Sequence, residues 1–262
     1  FYGESDGQAG DTGYIVSDSA KLEVRDTTKA QGHHLHHVVV IEGELASGDE
    51  VKAAIDASLR TRIKANHSAT HLMHEALRQV LGEHVQQKGS LVDADKLRFD
   101  FSHSEGLTTQ ELQQVASIVN QQVQSNGEVL TQEMDMESAV AAGATALFGE
   151  KYGDEVRVLT MGTDRFSVEL CGGTHVSRTG DIGIFRILTE AGVASGVRRI
   201  EAVTGVGALA DIAKADQALA EVCDVVKASP ALAAEKVSNL RKEVRDLERQ
   251  ITQLKQKLAT GA

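Results

Sequence analysis

The sequence predicts an α+β protein on three observations. Short apolar stretches broken by Gly3, Gly7, Gly10, Gly13, Gly32, Gly43 and Gly48 fill the start of the chain. Helical and strand-like segments follow without βαβ regularity. The last fifty residues turn rich in Ala, Leu, Glu and Lys, with no glycine from Ala208 to Thr260. The expected organisation is a small glycine-rich β-barrel or sandwich over residues 1–58, an α+β domain over 59–207, and a helical hairpin or coiled coil over 208–262.

Lys21 to Val24 and Leu35 to Ile41 read as strands of the first part. From Arg60 to Leu81, Ile63, His67, Thr70, His71, His74 and Leu77 recur at steps of three and four, which predicts a helix. Strands are expected at Leu97–Phe101, Val156–Leu159, Ser167–Leu170 and Gly183–Ile187, with helices at Thr109–Gln124 and Glu137–Leu147. An earlier C-terminal helix through Ile212, Leu219 and Val222 should end near Ser229-Pro230, which suit an N-cap and first helical position. Val237, Leu240, Val244, Leu247, Ile251, Leu254 and Leu258 then step by 3 and 4 alternately, an a/d seam. A buried antiparallel hairpin and a dimer-forming arm fit that seam equally.

With 41% apolar residues the chain can build a sizeable core, and no apolar run approaches a membrane span or a secretory signal. A soluble, cytoplasmic protein is expected, and the start at Phe1 within a glycine-rich stretch reads as a fragment of a longer one. Two cysteines, Cys171 and Cys223, exclude a disulfide framework, and Cys223 among apolar helical neighbours reads as a buried thiol. The net charge of −11 would disfavour a nucleic-acid partner if it were evenly spread. It is not. Residues 1–56 hold 11 acids against 4 bases and residues 104–156 hold 9 against 1, whereas 57–103 hold 7 bases against 5 acids and 157–207 hold 6 against 5.

The last two segments carry the chemistry. His67-Ser68-Ala69-Thr70-His71 puts two imidazoles one turn apart on a helix face, where both can reach one ion. Paired helical histidines are also ordinary packing, and the pair gains weight from Cys171-Gly172-Gly173-Thr174-His175, whose glycines allow a thiolate and an imidazole to turn toward one point. One Cys and three His form a donor set suited to zinc. Four protein ligands describe a closed structural site, while a catalytic zinc usually keeps a position open, so both roles stand. Ser68 occupies the place where a zinc peptidase carries its glutamate, which sets that hydrolase class aside. His74 reads as a packed or outer-sphere histidine, and His33-His34-Leu35-His36-His37 as a surface strand whose imidazoles alternate between faces. Gln87-Lys88-Gly89-Ser90 and Arg198-Arg199 place hydrogen-bonding and positive groups beside apolar strands, suited to a polar ester and its phosphates.

His67 to Leu72, Gln87 to Ser90, Leu170 to His175 and Gly196-Val197-Arg198-Arg199-Ile200-Glu201-Ala202 resemble, in that order, the signature segments of the bacterial alanyl-tRNA synthetase editing domain. The opening Phe1 to Gly13 is similar to the glycine-rich barrel before that domain, and the terminal heptads to the coiled coil after it, so the resemblance covers essentially the whole chain. Asp6 departs from the glycine usual in the family, in a turn remote in sequence from the metal motifs. The threonyl enzymes share the HxxxH and CxxxH logic but fit the two flanks less well, and free-standing alanyl editing proteins are nearer alternatives. The resemblance implies hydrolysis of the ester joining serine or glycine to tRNA(Ala), with Zn2+ on His67, His71, Cys171 and His175. It implies Thr70 and Gln87 at the reacting ester, and Lys88 and Arg198 toward the tRNA. It also implies a full enzyme with an ATP-binding aminoacylation domain outside this chain, and a homodimer as one form of that enzyme. From another class, a zinc-stabilised tRNA-binding or dimerisation module without turnover also fits.

Overall fold

The computed structural model describes residues 1–5, 7–145 and 155–261; Asp6 and the end of the helix expected to reach Leu147 lie outside them. The fold is mixed α+β, and the three sheets formed by the described residues are antiparallel. Two compact units divide at residue 208.

In the first unit, strands β1 (Gly13–Val16), β2 (Ala20–Ala30), β3 (His33–Gly43) and β4 (Lys52–Ile55) form a sheet in the order β3-β2-β1-β4. His36 packs edge-on against Phe1 and the His37 ring meets the Thr28 hydroxyl, so neighbouring imidazoles of the His-rich strand do turn to different surroundings. Helix α1 (Ala57–Leu81) starts three residues before the periodicity suggested, because the Asp56 carboxylate caps the amides of Ser58 and Leu59. Strands β5 (Gln87–Val92) and β6 (Leu97–Ser102) follow, then α2 (Thr109–Ser125), started by a reciprocal Thr108–Glu111 capping box. Next come β7 (Leu130–Asp135) and α3 (Met136–Ala141), which ends early, just before Gly143 with its φ of 83°. Strands β8 (Glu155–Met161) and β9 (Ser167–Leu170) join β7 in a three-stranded sheet, and β10 (Phe185–Ala194) and β11 (Val197–Thr204) join β5 and β6 in the order β10-β11-β6-β5.

The main core lies where that last sheet meets α1 and α2. Alternation buries Leu97, Phe99 and Phe101 of β6 with Ile200 and Ala202 of β11, and Leu72, Met73, Ala76 and Leu77 of α1 join the same cluster with Val115 and Val119 of α2. Residues of the other parity pair by charge, Arg199 with Asp100 through two bonds of 2.6 and 2.7 Å and Lys96 with Glu201 at 2.6 Å.

The N-terminal stretch is stitched to this core at two points. Asp11, almost fully buried, accepts from the Tyr2 amide and from the Arg60 guanidinium of α1. Residues 7–9 lie along the edge of β5, where Val92 donates to the Gly7 carbonyl at 2.7 Å and the Ala9 amide donates to Val92 at 2.9 Å. Gly7 has a φ of 73° and a Cβ there would stand 2.6 Å from the Ser90 carbonyl oxygen, so glycine is needed for both conformation and room. This edge pairing leaves Gln8 fully buried.

The second unit consists of α4 (Gly205–Val226), from Leu209 on, and α5 (Pro230–Thr260). Its buried residues are Cys223 and Ala233, among those described. Every residue of the α5 seam is at least 37% exposed, from Val237 at 37% to Leu258 at 82%. No helix of the described residues is long and apolar enough to cross a membrane.

Candidate metal centre

Four side chains expected to act together meet inside the first unit. His67 and His71 come from the middle of α1, and Cys171 and His175 from the turn after β9. All four are buried, and one ligand atom from each lies within 4.8 Å of every other. The Cys171 Sγ stands 3.6 Å from Nε2 of His67 and 3.3 Å from Nε2 of His175. Tetrahedral zinc with bonds of roughly 2.0–2.3 Å has an N···S edge of about 3.6 Å, so these spacings fit. Nε2 of His71 is buried and has no hydrogen-bond partner. An orphaned imidazole nitrogen in a Cys/His3 set is what a metal would satisfy.

The far nitrogen of each imidazole has its own acceptor. Nδ1 of His67 lies 2.8 Å from Oε1 of Gln8, an oxygen that also accepts from the Thr174 amide at 2.8 Å. Nδ1 of His71 lies 2.7 Å from a Glu169 oxygen. Nδ1 of His175 lies 3.4 Å from Oγ of Ser68, whose own proton goes to the Lys64 carbonyl at 2.8 Å. These partners place a proton on Nδ1 of each ring and turn its Nε2 toward the cluster. Gly173 lies against the His67 ring, where a Cβ would come within 2.2 Å of it. Its φ is outside the left-handed region, so the glycine is there for room and not for the tight turn expected of it.

Burial alone would lower the His71 pKa, but the charges of Glu169 and Cys171 outweigh it and raise it to about 10. Burial would raise Glu169 and Cys171, yet the facing imidazoles draw both well below their ordinary ranges. His175 is pushed down to about 3, by burial first and then by the neighbouring His67. In the metal-free chain a proton on His71 therefore stands where a cation is called for. The sign follows: below pH 10 His71 must lose that proton to ligate, so metal uptake at pH 7 should release about one proton from it per chain and tighten as pH rises. A titration in weak buffer measures the release; none would mean that His71 is not a ligand.

The other predicted residues are placed as follows. Thr70, buried and lying between His67 and His71 in α1, donates its hydroxyl to the Asn66 carbonyl at 2.9 Å. Gln87 and Arg198 both stand opposite Phe101, one on either side of β6, so they lie level with each other. Gln87 is half-buried and Lys88 exposed. Arg198 is paired with Glu190 at 2.5 Å. His74 is buried and contacts Glu169 at 3.1 Å. Three residues of the site went unremarked as such in the sequence. Glu169 had a signal, since strand alternation puts Ser167, Glu169 and Cys171 on one face; Ser68 had its place within the motif; Gln8, 59 residues before His67, had none.

Two family models match parts of the chain, the threonyl and alanyl tRNA synthetase second additional domain over residues 156–201 and the class II (A) tRNA synthetases over residues 1–59. Alanine–tRNA ligases of Chromohalobacter salexigens and Saccharophagus degradans are each 56% identical to it, and that of Pseudomonas entomophila 54%, over the whole chain in each case. The chain spans about 30% of the length of these relatives.

Proposed function

Because the chain is a relative of alanine–tRNA ligases along its whole length, we propose that it is the editing part of such an enzyme and hydrolyses the ester of serine or glycine wrongly joined to tRNA(Ala). The observation that carries this is the buried Cys/His3 cluster, half of which lies in the stretch matching the second additional domain. The reading divides the chain into residues 1–58, a glycine-rich barrel; 59–207, the hydrolytic domain; and 208–262, a coiled coil available for dimerisation of the longer enzyme. Its setting is the cytoplasm.

His67, His71, Cys171 and His175 would hold one Zn2+, which when bound supplies Lewis acidity beside the ester. The chain's own groups do the sorting. A synthetic pocket shaped for alanine cannot keep glycine out, and it disfavours an added hydroxyl by only about a hundredfold, so a second site is required. The Thr70 proton is committed to Asn66, so its hydroxyl meets the serine side chain as an acceptor only. Alanine has no proton to offer there. Gln87 orients the ester or the attacking water, and Lys88 and Arg198 face the tRNA end. Glycine is admitted by size.

The test is deacylation of seryl-, glycyl- and alanyl-tRNA(Ala) by the zinc-loaded chain. Serine and glycine should be released and alanine spared. Thr70→Val, nearly isosteric, should slow serine release about three- to tenfold, the worth of a neutral hydrogen bond. Equal rates on seryl- and alanyl-tRNA would end the second-sieve reading, and zinc uptake with no release of any amino acid would favour a binding module without turnover.

A further inference from the structure

Helix α1 offers three buried imidazoles in succession, His67, His71 and His74, yet only the first two belong to the ligand cluster. His71 and His74 both leave a buried Nε2 without a hydrogen-bond partner, so neither burial nor an unspent nitrogen distinguishes them. What differs is how one carboxylate holds them. Glu169, 4% exposed, gives one oxygen to Nδ1 of His71 at 2.7 Å and the other to Nδ1 of His74 at 3.1 Å, while Ser167 adds a 3.3 Å contact to the second oxygen.

We propose that Glu169 is a positioning residue for the metal centre: by accepting from both Nδ1 atoms it fixes the tautomer and orientation of His71 as a ligand and restrains His74 outside the ligand set. The physics is that of carboxylate–histidine–metal arrangements, in which the acceptor on the far nitrogen sets which nitrogen is bare, where the ring points and how basic it is. Glu169 and Cys171 are two residues apart around the end of one strand, so the backbone that delivers the thiolate also delivers the carboxylate. The His71 contact is the shorter of the two, and of these two residues only His71 belongs to the cluster that contains Cys171. His74 packs instead beside Phe99, its ring tilted by 48° with 5.1 Å between ring centres.

The proposal rests on the metal reading of the site and is independent of the tRNA reaction, so metal is the readout. Zn2+ affinity of the 262-residue chain is measured by chelator competition, and the Co2+-substituted protein supplies an absorption spectrum sensitive to ligand geometry. In Glu169→Gln the single amide oxygen can serve one imidazole but not both, and the charge is gone. Affinity should fall about 10- to 100-fold and the Co2+ bands should shift. His74→Phe, an equally buried change that leaves the His71–Glu169 contact in place, should keep affinity within about threefold of wild type.

Wild-type affinity and an unchanged Co2+ spectrum in Glu169→Gln overturn the proposal. So does an equal loss in His74→Phe, which would make the effect one of packing. If Glu169→Gln does not fold, imidazole nitrogen NMR of the zinc-loaded wild type decides. His71 protonated at Nδ1 and metallated at Nε2 supports the assignment, and the reverse overturns it. A wild-type chain that takes up no metal removes both this role and the site, whereas metal uptake without tRNA deacylation leaves this role standing and removes only the proposed reaction.

Discussion

Gly173→Ala should strip the metal centre while leaving the fold intact. A Cβ on residue 173 would sit 2.2 Å from Cε1 and 2.5 Å from Nδ1 of His67, and 3.0 Å from Oε1 of Gln8. Non-bonded carbon atoms settle at about 3.5–4.0 Å, so the ring has to give by more than an ångström. It cannot do so in place, because Nδ1 is tied to Gln8 and Nε2 is the face toward the thiolate. His67 must leave the cluster. The backbone of residue 173 is not in the left-handed region, so alanine brings no conformational penalty of its own. Zinc affinity should fall at least a hundredfold, read by chelator competition, with the circular dichroism of the chain unchanged. Zinc retained at wild-type affinity would mean that the turn after β9 is pliable and the packing argument is wrong.

Cys171→Ala should have the largest effect on turnover. The thiol is 5% exposed and is the only sulfur in the cluster. Its loss leaves three imidazoles and takes away one of the two anions that hold charge beside His71. We expect zinc content near zero after dialysis and seryl-tRNA(Ala) deacylation down at least a hundredfold, the scale of losing a group that acts on the reacting ester. Comparing the two readouts separates the roles a four-ligand site can have. If deacylation disappears while the variant still unfolds in one cooperative transition, the metal serves the reaction. If the variant loses its cooperative transition and its activity together, the metal is a structural staple. Undiminished deacylation without zinc would dissociate the cluster from the chemistry altogether.

The four residues of the cluster were legible as two pairs because each pair is local: a four-residue step on a helix and a four-residue step around a turn are written in the order of the residues. The groups that aim the ligands were harder to see. Gln8 reaches His67 only because residues 7–9 run along the edge of β5, an arrangement between segments far apart in sequence. The glycines of the C-G-G-T-H motif were expected to bend the chain, and Gly173 instead makes space for a ring, a steric demand that no local pattern reveals. Helix starts were missed by up to three residues where a cap and not an apolar period sets the boundary, as at Asp56. The α5 seam is written in the sequence as a repeat, but a repeat does not say what covers it, and in this chain its residues are exposed.

The separation of the two ligand pairs along the chain has a polymer consequence. His71 and Cys171 lie 100 positions apart, and the β7-β8-β9 sheet is built almost entirely from the chain between them. An ion held by both pairs would tie that stretch into a ring for as long as it stayed bound, as a disulfide does permanently. Closing a ring of about 100 residues removes roughly 4–5 kcal/mol of disorder from the unfolded chain, and the figure changes little with ring size because it grows only with the logarithm of length. Insertions or deletions between the pairs should therefore hardly alter what the cross-link contributes. As far as the cross-link alone is concerned, the length of the chain between the pairs matters little, provided that the two ends still meet.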